Sequence, residues 1–104
     1  MVKREFFYRH YGKYTLQLGD HQTNSSIFIY DDSKPRANNE DHVLSLRIYS
    51  DHINEIILWD NRPRIINYTE VCIIIHSLNI PENIKQKTIM LLEMILNKYN
   101  KHLK

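Results

Sequence analysis

Glycine, cysteine and long apolar runs are scarce in this chain of 104 residues, and each scarcity excludes a class of site or fold. The two glycines, Gly12 and Gly19, cannot form a glycine-rich phosphate-binding loop. The single cysteine, Cys72, excludes an intrachain disulfide and suits a reducing compartment. No run approaches the roughly 18 apolar residues that a membrane span needs, and the N-terminus lacks an apolar signal core. We therefore expect a cytoplasmic protein that does not bind a membrane.

The sequence also lacks a motif that fixes a reaction, a cofactor or a metal. Three Asp-His dipeptides stand in or beside predicted turns: Asp20-His21, Asp41-His42 and Asp51-His52. Turns that met at one end of a sheet could form a metal or acid–base site, as in a small hydrolase or metal enzyme. However, adjacent residues of a strand point to opposite faces, and no histidine pair has the helical i, i+4 ligand spacing. We therefore predict no enzyme activity, no cofactor and no metal.

Four amino acids with A/T-rich codons are abundant in the chain. Ile, Asn, Lys and Tyr together make 40 of the 104 residues. This bias in coding indicates a low-GC genome, such as that of a low-GC bacterium, its phages or its plasmids.

The first 60 residues predict five strands. Aromatic residues favour a strand over residues 3–10, and alternating apolar and polar side chains predict strands over 14–18 and 43–49. Apolar runs predict two more, over 26–30 and 55–59. Residues 31–41 are polar and predict a loop, whereas residues 60–64 break the strand pattern. Short connections between successive strands imply antiparallel pairing in a meander.

The C-terminal third predicts helices. Asn67, followed by Glu70, fits a helix start with Thr69 as a rival cap, and apolar residues then recur at helical spacing through Leu78. The β-branched residues at 71–75 leave a buried strand as the alternative. Pro81 suits the first turn of a second helix. One stripe of that helix consists of Ile84, Thr88, Leu91, Leu92, Ile95 and Tyr99.

Strands first and helices last predict a single α+β domain over residues 1–104. Its expected architecture is an antiparallel β-meander of about five strands, covered by one or two C-terminal helices. The second helix has more apolar surface than one sheet can cover. We therefore expect a homodimer, in which the surplus residues of this helix form the contact: Ile89, Met90, Met94 and Leu96.

Charges are unevenly placed along the chain. Residues 20–60 carry eight acidic residues against three basic ones, whereas both ends are basic. The two parts could simply attract each other across the fold. Alternatively, the acidic part could dock on another protein, because a surface of one sign steers a charged partner. Trp59 either packs beneath the helices or anchors that partner. The predicted partner-binding residues are Asp31, Asp32, Glu40, Asp41, Tyr49, Asp51 and Trp59.

The basic ends support a different function, because aromatic residues alternate with basic ones at the N-terminus. Stacking combined with phosphate contacts is how proteins bind single-stranded nucleic acid without sequence preference. The corresponding residues are Lys3, Arg4, Arg9, Lys13, Arg62 and Arg64.

Taken together, these patterns favour a small non-enzymatic binding protein of a phage or mobile element in a low-GC bacterial host. It is expected to act as a stoichiometric inhibitor or anti-defence protein that occludes a surface of a host protein, possessing no catalytic machinery of its own. A nucleic-acid-binding regulator that uses the basic, aromatic N-terminus is the alternative.

Overall fold

The computed structural model describes residues 5–34, 42–60 and 62–102 and shows an α+β fold. Six strands precede two helices, so the strand count exceeds the expected five by one. The strands are β1 (Glu5–Tyr11), β2 (Tyr14–Asp20), β3 (Asn24–Asp31), β4 (His42–Tyr49), β5 (Ile56–Trp59) and β6 (Pro63–Ile66). The helices are α1 (Tyr68–Ser77) and α2 (Glu82–His102).

The six strands form one antiparallel sheet in chain order, from β1 at one edge to β6 at the other. Each strand pairs with the next, which confirms the predicted meander. The tight turn between β1 and β2 contains Gly12 with a φ of 61°, a conformation in which a side chain is strained. Meander topology places β1 and β6 about 24 Å apart, since neighbouring strands are about 4.8 Å apart.

The strand β6 was not expected from the sequence, because Pro63 and Arg64 interrupt its apolar pattern. The structure resolves this conflict by placing Pro63 at the first residue of an edge strand, where its missing N–H group removes no bond from the sheet interior. Ile66 is buried against the core, whereas Ile65, on the opposite face, is 64% exposed. A four-residue strand with one buried side chain leaves too little periodicity to detect.

The core lies between the sheet and the two helices. Because side chains alternate along a strand, the strand pairing puts Leu16, Ile29 and Leu44 in one row of the helix-covered face. A second row on that face joins Leu18, Ile27, Leu46 and Leu58. All these side chains are buried at 5% exposure or less. The other face of the sheet, here called the open face, has no described helix over it.

The helix α1 begins at the predicted cap. The side chain of Asn67 accepts a hydrogen bond from the backbone N–H of Glu70 at 2.9 Å, so Asn67 and not Thr69 is the cap. The strand alternative for residues 71–75 is therefore wrong. Val71 and Ile75, one turn apart, are fully buried and fix the face that α1 turns to the core. Leu78 ends the helix in an extended conformation.

The apolar stripe predicted for α2 is confirmed, since all six of its residues are buried.

The two helices form an antiparallel hairpin. Near their connection, Lys85 Nζ donates to the His76 carbonyl at 2.8 Å, and at the far end Tyr68 Oη donates to Glu93 Oε1 at 2.6 Å. This bond and burial raise the pKa of the Tyr68 hydroxyl. Within the described residues, neither helix is long and apolar enough to cross a lipid bilayer.

The residues expected to form a dimer contact divide into two pairs. Ile89 and Leu96 are partly buried and pack against the core, so most of their apolar surface is already covered within the chain. Met90 and Met94 are 58% and 49% exposed. They lie one helical turn apart and on one side of α2. Of the four residues, only the two methionines remain for a contact between copies.

Candidate functional site

The acidic residues expected to bind a partner do not form one surface. Asp31 is buried at 7% exposure, and its Oδ1 accepts hydrogen bonds from the Ser33 hydroxyl at 2.6 Å and the Ser33 N–H at 3.0 Å. These bonds, the hydroxyl first, lower the pKa of Asp31. Asp32 accepts a hydrogen bond from Thr15 Oγ1 at 2.6 Å. Both carboxylates therefore stabilise the turn after β3.

Asp51 lies at the opposite end of the sheet. It follows β4, whereas Asp31 and Asp32 lie beside the start of that eight-residue strand, whose ends are about 24 Å apart at about 3.4 Å for each step between residues. Its carboxylate contacts the neighbouring His52 at 2.9 Å. Glu40 and Asp41 lie outside the described residues.

The basic residues proposed for nucleic acid are separated in the same way. Arg9 and Lys13 belong to the β1 edge, and Arg62 and Arg64 to the β6 edge on the far side of the sheet. Arg9 lies over the Tyr11 ring, 5.4 Å from its centre. Arg64 forms an ion pair with Asp60 at 3.0 Å. Lys3 and Arg4 lie outside the described residues.

Several ion pairs instead join the basic ends to the acidic middle. Lys13 Nζ lies 3.7 Å from Asp31, and Lys98 Nζ lies 2.6 Å from Asp20. In these pairs the acidic middle of the chain attracts its basic ends. This attraction is the simplest of the explanations that the sequence offered for the uneven charge. They are partly exposed and each contributes little to stability.

The Asp-His dipeptides do not assemble a common site in the described part of the chain. Asp20 accepts hydrogen bonds from Ser25 and Lys98, whereas His21 Nδ1 contacts the hydroxyl of Thr23. His42 lies at the other end of the sheet from His52. No three His, Cys, Asp or Glu side chains among the described residues are grouped as metal ligands would be.

The open face carries a different set of residues, rich in aromatic rings. Alternation along the strands assigns Trp59 and Tyr49 to this face, which excludes packing of Trp59 beneath the helices. Arg47 is the one arginine or lysine that the register places on this face among the described strand residues, and no described aspartate or glutamate of a strand shares it. The large apolar, aromatic and charged side chains of the open face are Tyr8, Phe28, Tyr30, Arg47, Tyr49, Ile57, Trp59 and Ile65, and the register adds His10, Gln17 and His42.

A slot opens between two of these rings. Phe28 on β3 pairs with Ser45 on β4, and continuation of the β4–β5 register puts Trp59 on the other side of Ser45. The rings therefore belong to strands about 10 Å apart, with the small serine between them. The cavity has a volume of about 210 Å³, and Arg47 and the backbone around Leu46 complete its lining. We call it the Phe28–Trp59 slot.

Two polar groups in this slot have no hydrogen-bond or ion-pair partner among the described residues. Ser45 is 2% exposed, yet its hydroxyl makes no hydrogen bond within the described part of the chain. Arg47, a partly exposed residue, likewise forms no ion pair or hydrogen bond with a described residue. Both groups face the slot with their hydrogen-bonding capacity unused by described residues. A ligand in the slot could therefore bond to a hydroxyl and to a cation.

One wall of the slot is held in place from behind. A β-bulge between Ile29 and Tyr30 shifts the pairing with β4 and brings His42 beside the open-face rings. The Phe28 ring centre is 6.0 Å from that of Tyr30 and 5.4 Å from that of His42. The Tyr30 and His42 rings meet edge to face at 4.6 Å. These contacts orient Phe28 before any ligand arrives.

The chain matches no family model, no curated protein and no solved structure. The candidate site therefore depends entirely on the geometry of the open face.

Sequence reasoning named two open-face residues, Tyr49 and Trp59, the second because tryptophan commonly anchors interfaces. It did not identify Phe28 or Arg47 as site residues. A signal was present, since Ser45 and Arg47 alternate with the apolar residues of β4 on the face shared with Tyr49. Phe28 has no comparable signal, because β3 is apolar on both faces.

Proposed function

We propose that this chain is a non-enzymatic binding protein that occludes a surface of another protein with its open sheet face. The observation that carries the proposal is the composition of that face. Aromatic side chains and an arginine dominate it, while described strand carboxylates and lysines are absent from it. The cores of protein interfaces are enriched in aromatic residues and arginine and depleted in Lys, Asp and Glu.

The two helices cover only one face of the sheet, which leaves the open face available for binding. Both helices and the buried rows of leucine and isoleucine lie on one side of the sheet. Of the open-face aromatic residues, Tyr30 is buried at 9% exposure, whereas Phe28, Tyr49 and Trp59 are only partly buried. Tyr8 and Ile65, near its two edges, are 57% and 64% exposed. Between them, half-buried Tyr49 and Trp59 provide rigid apolar surface at little conformational entropy, as interface anchors do.

Inhibition is the form of binding that we propose. The target is a protein of a low-GC bacterial host, and the chain is an anti-defence or inhibitory protein of a phage or mobile element, as its coding bias suggests. Inhibition by occlusion requires a stable folded face and no catalytic group. The acidic residues at the two ends of the sheet then steer the encounter from the rim instead of forming the contact itself.

Nucleic-acid binding is the second candidate, because the same rings could stack on bases. The open face supports it less well. Single-strand-binding grooves combine stacking with several cations along the backbone path, whereas the described strands place only Arg47 on this face. The basic residues named from the sequence lie on two separate edges.

Affinity capture with three versions of the immobilised chain tests the proposal. The first is wild type; the second carries Tyr49→Ala and Trp59→Ala on the open face; the third carries Met90→Gln and Met94→Gln on α2. Each is incubated with lysate of a low-GC bacterium, with and without nuclease. We expect wild type and the α2 variant to retain one host protein in equimolar amount, regardless of nuclease.

The open-face variant should lose that protein. Replacement of a buried anchor commonly weakens binding by at least about 30-fold. Circular dichroism and thermal unfolding of all three chains establish that each is folded. Equal retention by the open-face variant would refute the docking face, and retention that disappears with nuclease would favour the nucleic-acid alternative.

A further inference from the structure

We propose that the Phe28–Trp59 slot receives one aromatic side chain of the protein partner, and that Arg47 binds a carboxylate beside that side chain. This inference depends on the proposed function, because it specifies what the occluded surface presents. It rests on the shape of the slot, on its two unpaired polar groups and on the charge of the face around it.

The shape selects a flat group. The two rings belong to strands about 10 Å apart, and a ring between them needs about 3.5–4 Å of separation from each neighbour. Ser45 is small enough to leave the space open, and Phe28 is held by Tyr30 and His42 behind it. An aromatic ring therefore fits between these walls, and the Phe28 wall is already held in position.

The charge selects an anion next to the ring. Arg47 stands between Ser26 and Ile57 in the strand pairing, so its described cross-strand neighbours do not neutralise it. A guanidinium without a described counter-ion gains from a carboxylate, and bidentate pairing makes this contact specific. The Ser45 hydroxyl adds a hydrogen-bond donor at the base of the slot.

A fragment series tests this chemistry without the partner. Trp59 is the only tryptophan in the chain, so incorporation of 5-fluorotryptophan gives a single ¹⁹F resonance in the slot wall. Phenylacetate, phenylacetamide and phenethylamine present the same ring with a negative, neutral and positive group. We expect a saturable shift with phenylacetate at a Kd of about 1 mM, which is typical of a fragment of this size.

Phenylacetamide should bind about tenfold more weakly than phenylacetate, the loss expected when a charge-assisted hydrogen bond becomes neutral, and phenethylamine more weakly still. Arg47→Gln should remove the difference between phenylacetate and phenylacetamide, whereas Met90→Gln, on the helix layer, should preserve it. Phe28→Leu should weaken all three ligands. Equal binding of the three ligands to wild type, or no saturable shift with any, would overturn the inference.

Nucleotide ligands provide the competing outcome. If thymidine 5′-monophosphate shifts the Trp59 resonance at lower concentration than phenylacetate, and oligothymidylate binding weakens steeply with salt, the slot binds nucleic acid and the inference is wrong. The two proposals fail separately. If the three fragments do not bind in the expected order, the slot chemistry is refuted even when the capture experiment retains a protein through the open face. If the fragments bind in that order but the capture experiment retains no host protein, the occluding function is refuted instead.

Discussion

The hydroxyl groups of Tyr99 and Ser25 lie 2.6 Å apart, although 74 positions separate the two residues in the chain. Tyr99 Oη also lies 3.0 Å from the His21 carbonyl oxygen, and Ser25 Oγ lies 2.8 Å from the Asp20 carboxylate. The two hydroxyl hydrogens serve two of these three contacts at a time. Tyr99 is 1% exposed and Ser25 is fully buried. These bonds fasten the last turns of α2 to the end of the β2–β3 hairpin, and so help to keep both helices on one face of the sheet.

Replacement of Tyr99 by Phe should lower the free energy of unfolding by about 1–2 kcal/mol. The ring remains, but the hydroxyl is removed, so Ser25 and the His21 carbonyl lose a hydrogen-bond partner. Urea denaturation measures this change. The double variant Tyr99→Phe with Ser25→Ala should lose less than the sum of the two single variants, since both disturb the same bond. Tyr49→Phe serves as the control, with a change below about 0.5 kcal/mol. Additive losses would contradict the coupling.

Asn67→Ala should destabilise the fold by about 1 kcal/mol through loss of the α1 cap. Asn67→Asp should retain most of the stability, because a carboxylate also accepts the Glu70 N–H bond and suits a helix N-terminus. Thermal or urea unfolding of both variants measures the difference. Equal losses from the two substitutions would show that the cap hydrogen bond is not what stabilises this end of α1.

The lowered pKa of Asp31 links stability to acid pH. A carboxyl whose folded pKa lies below its ordinary value of 3.8 stabilises the fold above that value, and the stabilisation is lost as the pH falls through the folded pKa. Ser33→Ala removes the hydroxyl that contributes most to the shift. NMR titration should therefore show the Asp31 pKa rising in this variant.

The same substitution should lower the free energy of unfolding most above about pH 4. The difference from wild type should shrink as the solution becomes more acidic, because the carboxyl is then protonated in both proteins. An Asp31 pKa at or above 3.8 in wild type would contradict this account.

The homodimer expected from the sequence now depends on Met90 and Met94. If these exposed side chains form a contact between copies, sedimentation should show a concentration-dependent dimer in wild type, and Met90→Gln with Met94→Gln should shift it to monomer. Ile89 and Leu96 need no second copy to be covered. A wild-type chain that stays monomeric at millimolar concentration would refute the homodimer.

Local patterns were enough to predict most of the fold. Alternation found β2 and β4, and the apolar stripe of α2 matched its buried residues position by position, because burial on one face repeats with the period of the element. The cap at Asn67 depends only on residues three positions apart. The edge strand β6 was not predicted, because Pro63 and Arg64 interrupt its apolar pattern. Proline is tolerated there because β6 has a neighbouring strand on one side only.

Local sequence patterns predicted less of the candidate site. Asp31 looked like a surface charge in a polar loop, but the described part of that loop turns its carboxylate onto Ser33. Arg9 and Arg64 looked like parts of one basic surface, yet the meander puts them on opposite edges of the sheet. Charge density along a sequence does not specify distance in space, which depends on how the strands pair.

The sequence by itself determined every element except β6, the order of those elements and the residues that share each face of a strand. Only the tertiary structure decided which face the helices cover, and that Phe28, Ser45 and Trp59 meet on the other one. The physical reason is the range of the interactions. Alternation and helical spacing operate over a few residues, whereas strand register and helix docking depend on contacts such as that between Tyr99 and Ser25, which join distant parts of the chain.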